Sequence, residues 1–306
     1  MNFSMDCYSD ILSGIFPSIT IPFVDGRVDY GQLISNIEKY NEYNLGGYMI
    51  LGGNGEYLGL TPYETTNIVR TIVSASKPGR PIVAGTGRES AEATIEFIRH
   101  IAGMGVDIAS IITPFYYAKY LKDENLIAYF EKIADESPIP IIIYNSPSYA
   151  AGVSISPDAI LKLSRHENIV GMKNSSSRET SDYISLVGKD SNFSFHAGRI
   201  ADFYRDYKHG AVGATLSMAD YWPQDCINMY ALLQQGRNDE AAEMCARIDR
   251  AGKAGASAYG VPGVKYAMDI AGFYGGESRL PLIPLSDIQK EQIKKSFALK
   301  EETKVL

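Results

Sequence analysis

The chain has 306 residues, of which 45% are hydrophobic and 21% are charged, a composition typical of folded globular proteins rather than of disordered ones. No run approaches the roughly 18 uncharged apolar residues that a membrane-spanning helix needs. A formal net charge of −7 disfavours a nucleic-acid partner, because binding to phosphates requires clustered Lys and Arg. The composition therefore favours a small-molecule ligand.

The N-terminal segment MNFSMDCYSD carries acidic residues and has no basic region followed by an apolar one. It resembles neither a secretory signal nor a transit peptide, so we expect a cytoplasmic protein. The three cysteines, Cys7, Cys226 and Cys245, are odd in number and lack CxxC spacing. We expect free thiols rather than disulfides or a zinc site.

From Gly14 onward, short apolar runs alternate with amphipathic stretches, which is the pattern of βα units around a parallel sheet. The predicted strands are Gly14–Ile19, Gly47–Leu51, Pro81–Ala84, Ile108–Ile112, Pro140–Tyr144, Ile169–Lys173, Phe193–Ala197 and Gly213–Leu216. Runs such as PIPIIIYN and IVGMK are apolar throughout, as expected for strands buried on both faces. Eight such units predict an α/β fold, a (β/α)8 TIM barrel, with a doubly wound open sheet as the alternative.

Amphipathic helices fit between these strands, and two of them have clear start signals. Thr61 and Glu64 form the pattern of a capping box, with proline at the first helical position, and Ser156-Pro157 repeats the cap followed by proline. The predicted helices are Asp29–Asn44, Pro62–Ser76, Ala91–Gly103, Asp123–Ser137, Pro157–Ser164, Glu179–Val187 and Ala201–Lys208.

After about Trp222 the strand signals stop and only helical patterns follow. These predicted helices are Asp225–Gln235, Asp239–Ala254, Val264–Phe273 and Asp287–Leu299, the last behind a Ser286/Gln289 capping box. No linker rich in Pro, Gly or Ser separates them from the barrel. We therefore predict a catalytic barrel over residues 1–222 and a C-terminal helical extension over residues 223–306 that packs on it.

Functional side chains of such a barrel lie at the C-terminal ends of the strands and in the loops that follow. Lys173 ends one predicted strand and Tyr144 ends the strand before it. Because alternate residues of a strand face the same side, Lys173 shares a face with Gly171, and Tyr144 shares one with Ile142. If those faces point inward, the amine and the phenol meet at the mouth of the barrel.

A lysine in that position can act as a nucleophile. An ordinary lysine is almost entirely protonated at pH 7, whereas burial against apolar walls favours the neutral amine that a Schiff base requires. A phenol beside it can move protons. Each residue alone also has a structural interpretation, since Lys173 can be a solvated surface group and Tyr144 a core tyrosine.

The remaining motifs give little support to other chemistries. The four histidines His100, His166, His196 and His209 show no metal-ligand spacing, although His196 on a predicted strand can line the site. Neither GGNGEYLG nor GTGRES completes a nucleotide-binding pattern, and GGNGE alone is compatible with a tight glycine turn. We expect no metal and no organic cofactor.

Five motifs follow one another in order along the chain: GGNGE, TPFYY, YNSP, IVGMK and GVPGVKYAMDIAGFYGG. Together they resemble the class I pyruvate aldolases of the dihydrodipicolinate synthase and N-acetylneuraminate lyase superfamily. The resemblance runs from about Gly14 to Leu285. It implies that Lys173 forms the imine with pyruvate and that Tyr144 shuttles protons.

The same resemblance implies further site residues and an assembly. Gly53 and Asn54 match the pair that grips the pyruvyl carboxylate. Tyr116 matches a loop tyrosine that enters the site of the neighbouring subunit, so the resemblance implies a homotetramer built as a dimer of dimers. The partners implied are pyruvate and an aldehyde.

Departures from the family pattern bear on the substrate. Asn54 stands where threonine is usual, and because an amide cannot relay a proton through a single oxygen, any relay needs a water or another hydroxyl, such as that of Ser175. No arginine follows YNSP to hold a second carboxylate, as in dihydrodipicolinate synthases. After the strand 7 glycine, Gly198, the chain has Arg199 rather than the acidic residues of sialic acid lyases.

These features look most like 4-hydroxy-2-oxoglutarate aldolase, in which Arg199 could hold a distal carboxylate or, alternatively, face solvent at a helix start. The prediction is reversible cleavage of a 4-hydroxy-2-oxo acid to pyruvate and an aldehyde. Dihydrodipicolinate synthase, N-acetylneuraminate lyase and 2-keto-3-deoxy sugar acid aldolase activities are the alternatives. A catalytically silent barrel that binds an oxo acid is the alternative that is not an enzyme.

Overall fold

Eight strands form the central sheet of the protein, whose computed structural model describes residues 8–188 and 192–301. Numbered in chain order, the strands are β1 (Gly14–Pro17), β2 (Tyr48–Ile50), β3 (Ile82–Gly85), β4 (Ile108–Ile112), β5 (Ile141–Asn145), β6 (Ile169–Asn174), β7 (Ser194–Ala197) and β8 (Gly213–Leu216). Each begins and ends within two residues of its predicted position.

The strands follow one another around the sheet in chain order, and β1 lies beside β8. A parallel bridge between Ser18 and Met49 joins β1 to β2, the two ends of that order. A parallel sheet that closes on itself in this way is a (β/α)8 barrel, so the predicted fold class is confirmed. The doubly wound alternative is wrong, because such a sheet reverses its strand order at a switch point.

In the described part of the chain, seven helices alternate with the strands and four more follow β8. They are α1 (Tyr30–Asn41), α2 (Pro62–Ala75), α3 (Ala91–Ala102), α4 (Asp123–Glu136), α5 (Pro157–Leu163), α6 (Thr180–Val187), α7 (Ile200–His209), α8 (Pro223–Gln234), α9 (Asn238–Ala254), α10 (Gly260–Ile270) and α11 (Asp287–Glu301). A short helix at Tyr8–Ile11 and a hairpin of Phe23–Val24 with Arg27–Val28 were not predicted. Both are too short to show a hydrophobic period.

The predicted start signals form as hydrogen bonds. Glu64 N donates to Thr61 Oγ1 at 3.2 Å while Thr61 N donates to Glu64 Oε2 at 2.9 Å, which completes the capping box of α2. Helix α10 differs from its prediction, since it begins at Gly260 rather than Val264 and includes Pro262. A proline is tolerated there because the first turn of a helix has no N–H partner to lose.

Residue contacts divide the chain into two compact units. Of the described residues, the first contains 8–14, 81–188 and 192–215, and the second contains 15–80 and 216–301. The predicted boundary between a barrel and an extension at residue 222 stays a prediction.

In the first unit, a hydrophobic core lies between the strands β4 to β7 and the helices that follow them. Ile143, Met172 and Phe195 belong to this core and occupy equivalent positions on adjacent strands. Because side chains alternate along a strand, Tyr144, Lys173 and the residue after Phe195 face the opposite side of the sheet. The predicted parity of Tyr144 and Lys173 agrees with this packing.

In the second unit, the C-terminal helices pack against one another, and Trp222 stacks edge-on against Phe297 with ring centroids 5.0 Å apart. Cys226 and Cys245 are buried and form no disulfide within the described part of the chain, whereas Cys7 lies outside it. No helix in the described ranges is both long and apolar enough to cross a membrane.

Candidate active site

Three polar side chains form one row across adjacent strands of the first unit. Tyr144 on β5 is in register with Lys173 on β6, which is in register with His196 on β7. The Lys173 side chain is buried, with 7% of the residue exposed, and its Nζ lies 4.1 Å from the centroid of the Tyr144 ring. The parallel register therefore brings an amine and a phenol together, as the sequence predicted.

The Tyr144 phenol loses its proton more easily than an ordinary tyrosine. Burial alone would raise its pKa, but the charge of Lys173 first, and then the nearby hydroxyls of Ser146 and Ser175, hold the pKa below the usual value. A phenolate is thus more accessible here than in water. This is the property that a general base needs.

A main-chain hydrogen bond fixes the position of Ser175, and the lack of a side chain on Gly198 leaves room for the Ser175 hydroxyl. Its N–H donates to the Asn145 carbonyl at 2.8 Å. A Cβ on Gly198 would lie 1.8 Å from Ser175 Oγ and 2.8 Å from the Asn174 carbonyl oxygen, so no other residue fits at position 198 without displacement. The structure thus brings Lys173, Tyr144, Ser175 and Gly198 together in the first unit.

His196 contributes a neutral imidazole to the row. Its Nδ1 lies 3.1 Å from the Leu12 carbonyl oxygen and its Nε2 lies 2.9 Å from Thr215 Oγ1. Burial first, and then the nearby charge of Lys173, lower its pKa to about 3. Nδ1 must then donate to Leu12, and Nε2 must accept from the Thr215 hydroxyl. Sequence patterns missed Thr215, because a threonine inside an apolar strand gives no functional signal.

The buried histidine makes stability depend on pH. The unfolded chain binds a proton at His196 below about pH 6.5, whereas the folded protein does so only below about pH 3. The free energy of unfolding therefore decreases as the pH falls below about 6.5. We expect this residue to cost about 2 kcal/mol of unfolding free energy between pH 8 and pH 5. Urea unfolding of the wild type and of His196→Gln at both pH values measures it. Equal losses in the two proteins would contradict the assignment.

Two predicted residues of the first unit lie at its surface. Tyr116 follows β4 in a loop, with 76% of the residue exposed, and its N–H donates to Glu89 Oε2 at 2.8 Å. Arg199 precedes α7, where its Nε pairs with Asp202 Oδ2 at 2.8 Å and its Nη1 donates to the Ser176 carbonyl at 3.3 Å. Their roles in binding stay predictions.

Gly53 and Asn54 belong to a turn after β2, in the second unit. The Asn54 amide donates to Asp220 Oδ2 at 2.7 Å and to Ser217 Oγ at 3.1 Å, so both of its hydrogens are used. The main-chain N–H groups of Gly53 and Asn54 donate to none of the described residues. If this turn binds a carboxylate, its main chain rather than the Asn54 side chain supplies the donors.

A buried ion pair supports that turn and was missed by sequence analysis. Glu56, the last residue of GGNGE, has φ 52° and pairs through Oε1 with Lys265 Nζ at 2.6 Å, while its Oε2 accepts from Arg279 N at 2.8 Å. Burial lowers the pKa of Lys265 in spite of the attraction of Glu56. The signal for this pair was the isolated lysine in the apolar helix GVPGVKYAM.

Within the described ranges, no group of three His, Cys, Asp or Glu side chains is placed to hold a metal ion. The first unit instead offers an amine, a phenol and two hydroxyls at the C-terminal ends of neighbouring strands. A barrel with a buried lysine beside a phenol can carry out Schiff-base chemistry.

Comparison with known proteins supports this class. A model of the Dihydrodipicolinate synthetase family matches residues 11–300. The chain therefore belongs to that family, whose members are Schiff-base lyases, and the protein is an enzyme of this class.

Two curated relatives and one solved structure illustrate the range of the family. A 4-hydroxy-tetrahydrodipicolinate synthase of Methanothrix thermoacetophila is 32% identical over 92% of this chain and 94% of its own. A protein of Emericella nidulans named "Probable 4-hydroxy-2-oxoglutarate aldolase, mitochondrial" is 29% identical over 93% of this chain and 94% of its own. YagE of E. coli K12, a prophage protein solved in complex with pyruvate, has a TM-score of 0.86 and 25% identity over 94% of this chain and 98% of that chain.

Proposed function

We propose that the protein cleaves a 4-hydroxy-2-oxo acid reversibly to pyruvate and an aldehyde, with Lys173 as the amine that forms the Schiff base. The observation that carries the proposal is the buried Lys173 Nζ, 4.1 Å from the centroid of the Tyr144 ring. The bound pyruvate in YagE supports an oxo acid as the first substrate.

In the proposed reaction, the neutral Lys173 amine attacks the C2 ketone of the substrate, and loss of water gives a protonated imine. The C3–C4 bond then breaks, and its electron pair moves toward the imine nitrogen to form an enamine. Tyr144, as the phenolate, accepts the proton of the C4 hydroxyl as that carbon becomes an aldehyde. Protonation of the enamine at C3 and hydrolysis release pyruvate and restore the amine.

The role of Ser175 and Ser146 in this scheme is to set the basicity of the phenol. Both hydroxyls lie near the Tyr144 phenol and help to lower its pKa, which supports a proton transfer at neutral pH. Asn54 cannot relay a proton through a single oxygen, and its amide is committed to Asp220 and Ser217. Ser175 remains the proposed relay hydroxyl.

The substrate carboxylate at C1 is assigned by the family resemblance to Gly53 and Asn54. Their main-chain N–H groups, which donate to none of the described residues, are suitable donors for an anion. A fixed carboxylate raises the effective concentration of the ketone at the amine.

A second candidate is 4-hydroxy-tetrahydrodipicolinate synthase activity, which the name of the Methanothrix thermoacetophila relative favours. Against it, the loop after β5 reads Ser146-Pro147-Ser148-Tyr149 and contains no arginine for a second carboxylate. The two activities differ in the aldehyde they use, so an assay in the condensation direction separates them.

The assembly and location stay proposals. The exposed Tyr116 is compatible with a loop that enters a neighbouring subunit in a homotetramer. Sedimentation equilibrium measures the assembly directly. A cytoplasmic location is proposed from the sequence, whereas the Emericella nidulans relative is named as mitochondrial.

Trapping with pyruvate and borohydride tests the chemistry. The expected result is one covalent adduct, located on Lys173 by intact mass and peptide mapping. A panel of aldehydes in the condensation direction then compares glyoxylate, which would give 4-hydroxy-2-oxoglutarate, with aspartate semialdehyde, the substrate of the synthase. If no covalent adduct forms, the proposed Schiff-base reaction is wrong, and the protein would instead be a catalytically silent barrel that binds an oxo acid.

A further inference from the structure

Two buried asparagines follow the proposed catalytic residues on neighbouring strands, and the reaction gives neither a role. Asn145 comes directly after Tyr144 and Asn174 directly after Lys173, and the two asparagines are in register. Both are buried, with 0% and 5% of the residue exposed. Because side chains alternate along a strand, they point away from the amine and the phenol.

A chain of hydrogen bonds runs from these asparagines to a buried carboxylate. Asn145 Nδ2 donates to Asn174 Oδ1 at 3.3 Å, and Asn174 Nδ2 donates to Thr180 Oγ1 at 3.1 Å. Thr180 Oγ1 in turn donates to Asp206 Oδ2 at 2.7 Å. Thr180 begins α6 and Asp206 lies in α7. These hydrogen bonds therefore connect the ends of two strands to two helices.

In each hydrogen bond of this series, the donor and the acceptor cannot be exchanged. An asparagine Nδ2 can only donate, so the Thr180 hydroxyl accepts from Asn174 and has a single proton left for Asp206. The other hydrogen bonds of Asn174, to the Arg178 carbonyl and from Ser176, fix its amide orientation. The three bonds therefore all donate in one direction, from Asn145 on β5 through Asn174 and Thr180 to Asp206.

Burying the Asp206 carboxyl destabilises the folded state. Only 2% of it is exposed, and its Oδ1 has no hydrogen-bond partner within the described part of the chain, the Arg205 Nε being 3.9 Å away. The charged groups around it are Arg205 and Asp202 on the same helix and Glu179 before α6. Burial first raises its pKa to about 6, although Thr180 opposes the rise. A carboxyl that stability alone does not favour needs another explanation.

We propose that Asp206 is a positioning residue, which through Thr180 and Asn174 fixes the end of β6 and so aims Lys173 at the substrate ketone. The inference rests on the proposed Schiff-base function. A small error in the direction of the amine lowers the rate of imine formation more than it weakens binding, because attack requires near-contact geometry. The ionised carboxylate holds the Thr180 hydroxyl more strongly than the neutral acid does.

The Thr180 hydroxyl is the link to remove, since Thr180→Val keeps the shape of the side chain. The expected result is a roughly tenfold lower rate of imine trapping and of turnover, with the KM for pyruvate within about twofold of the wild type. Thr180→Ser restores the hydroxyl and should recover most of the rate. Thr65→Val is the matched control, because Thr65 is also a buried helical threonine and its hydroxyl donates locally, to the Thr61 carbonyl at the start of its own helix.

A purely structural role would change stability in Thr180→Val but leave the trapping rate of the folded protein normal. That result, measured below the unfolding transition of each variant, would overturn the proposal. So would a variant whose only kinetic change is a higher KM.

Asp206→Asn gives a second readout that depends on pH. The amide of this variant cannot ionise, so the ratio of wild-type to variant turnover should be roughly threefold to tenfold at pH 7.5 and fall toward one at pH 5, where Asp206 itself is neutral. A ratio that stays constant over this range would exclude the carboxylate as the positioning group.

The two proposals fail in different ways. If the wild type forms no adduct with pyruvate, the Schiff-base function fails. If the wild type traps pyruvate on Lys173 and Thr180→Val traps it equally fast, only the positioning role of Asp206 fails.

Discussion

Replacing Lys173 by alanine is expected to abolish borohydride trapping of pyruvate and to lower turnover by at least about 10⁴-fold, because the amine proposed to form the covalent electron sink is lost. The variant should fold, since the substitution removes a buried polar group and puts a small apolar side chain in its place. Intact mass after reduction and a coupled pyruvate assay measure the two effects.

The protein contains its own controls for this experiment. Lys265 is also buried, with 1% of its side chain exposed, but it is paired with Glu56 and should carry no adduct in the peptide map. Lys162→Ala removes a lysine whose side chain is 57% exposed and should behave as the wild type. Near-normal turnover by Lys173→Ala would disprove the proposed mechanism.

Replacing Tyr144 by phenylalanine is expected to lower turnover by about 10² to 10⁴-fold while leaving pyruvate binding close to normal. The ring remains beside Lys173, and only the phenol oxygen that is proposed to accept the C4 proton is lost. The adduct with pyruvate should still form on Lys173, more slowly, so that trapping and turnover respond differently. Steady-state kinetics together with trapping at saturating pyruvate distinguish the two steps.

Tyr48→Phe is the matched control for the loss of a buried hydroxyl. The Tyr48 hydroxyl donates to Asn41 Oδ1 at 2.8 Å, so its removal should cost about 1 kcal/mol of unfolding free energy without a comparable loss of rate. If Tyr144→Phe were no slower than Tyr48→Phe, the phenol of Tyr144 would not be the base.

The positions of Lys173 and Tyr144 could be predicted because each polar residue ends a strand that is apolar throughout. In a parallel barrel, the ends of neighbouring strands lie at the same level, so the sequence alone implied that the two groups meet. The structure agrees, with the two residues in register. The family resemblance supplied the chemistry, and the match over residues 11–300 confirmed the family.

Other parts of the site had no such pattern. Asp206 lies in the amphipathic helix α7, among charged residues that all look like a solvated face, and only the packing of α7 shows that its carboxylate is buried. Thr215 and Leu12 lie far apart in the chain, yet both bind the ring of His196. Long-range hydrogen bonds of this kind depend on a few ångströms of three-dimensional placement.

The sequence by itself determined the barrel, most helix and strand boundaries to within a few residues, and the pairing of a lysine with a tyrosine, because these follow from local periodicity and from the fixed geometry of parallel strands. Only the tertiary structure decided which polar groups are buried and which way they point. In the folded protein, the Asn54 amide donates to Asp220, and burial lowers the pKa of His196. Hydrogen bonds through Thr180 connect Asp206 to Asn174, the residue after Lys173. Burial and hydrogen-bond direction are properties of the packed chain, since both depend on neighbours that are distant in sequence.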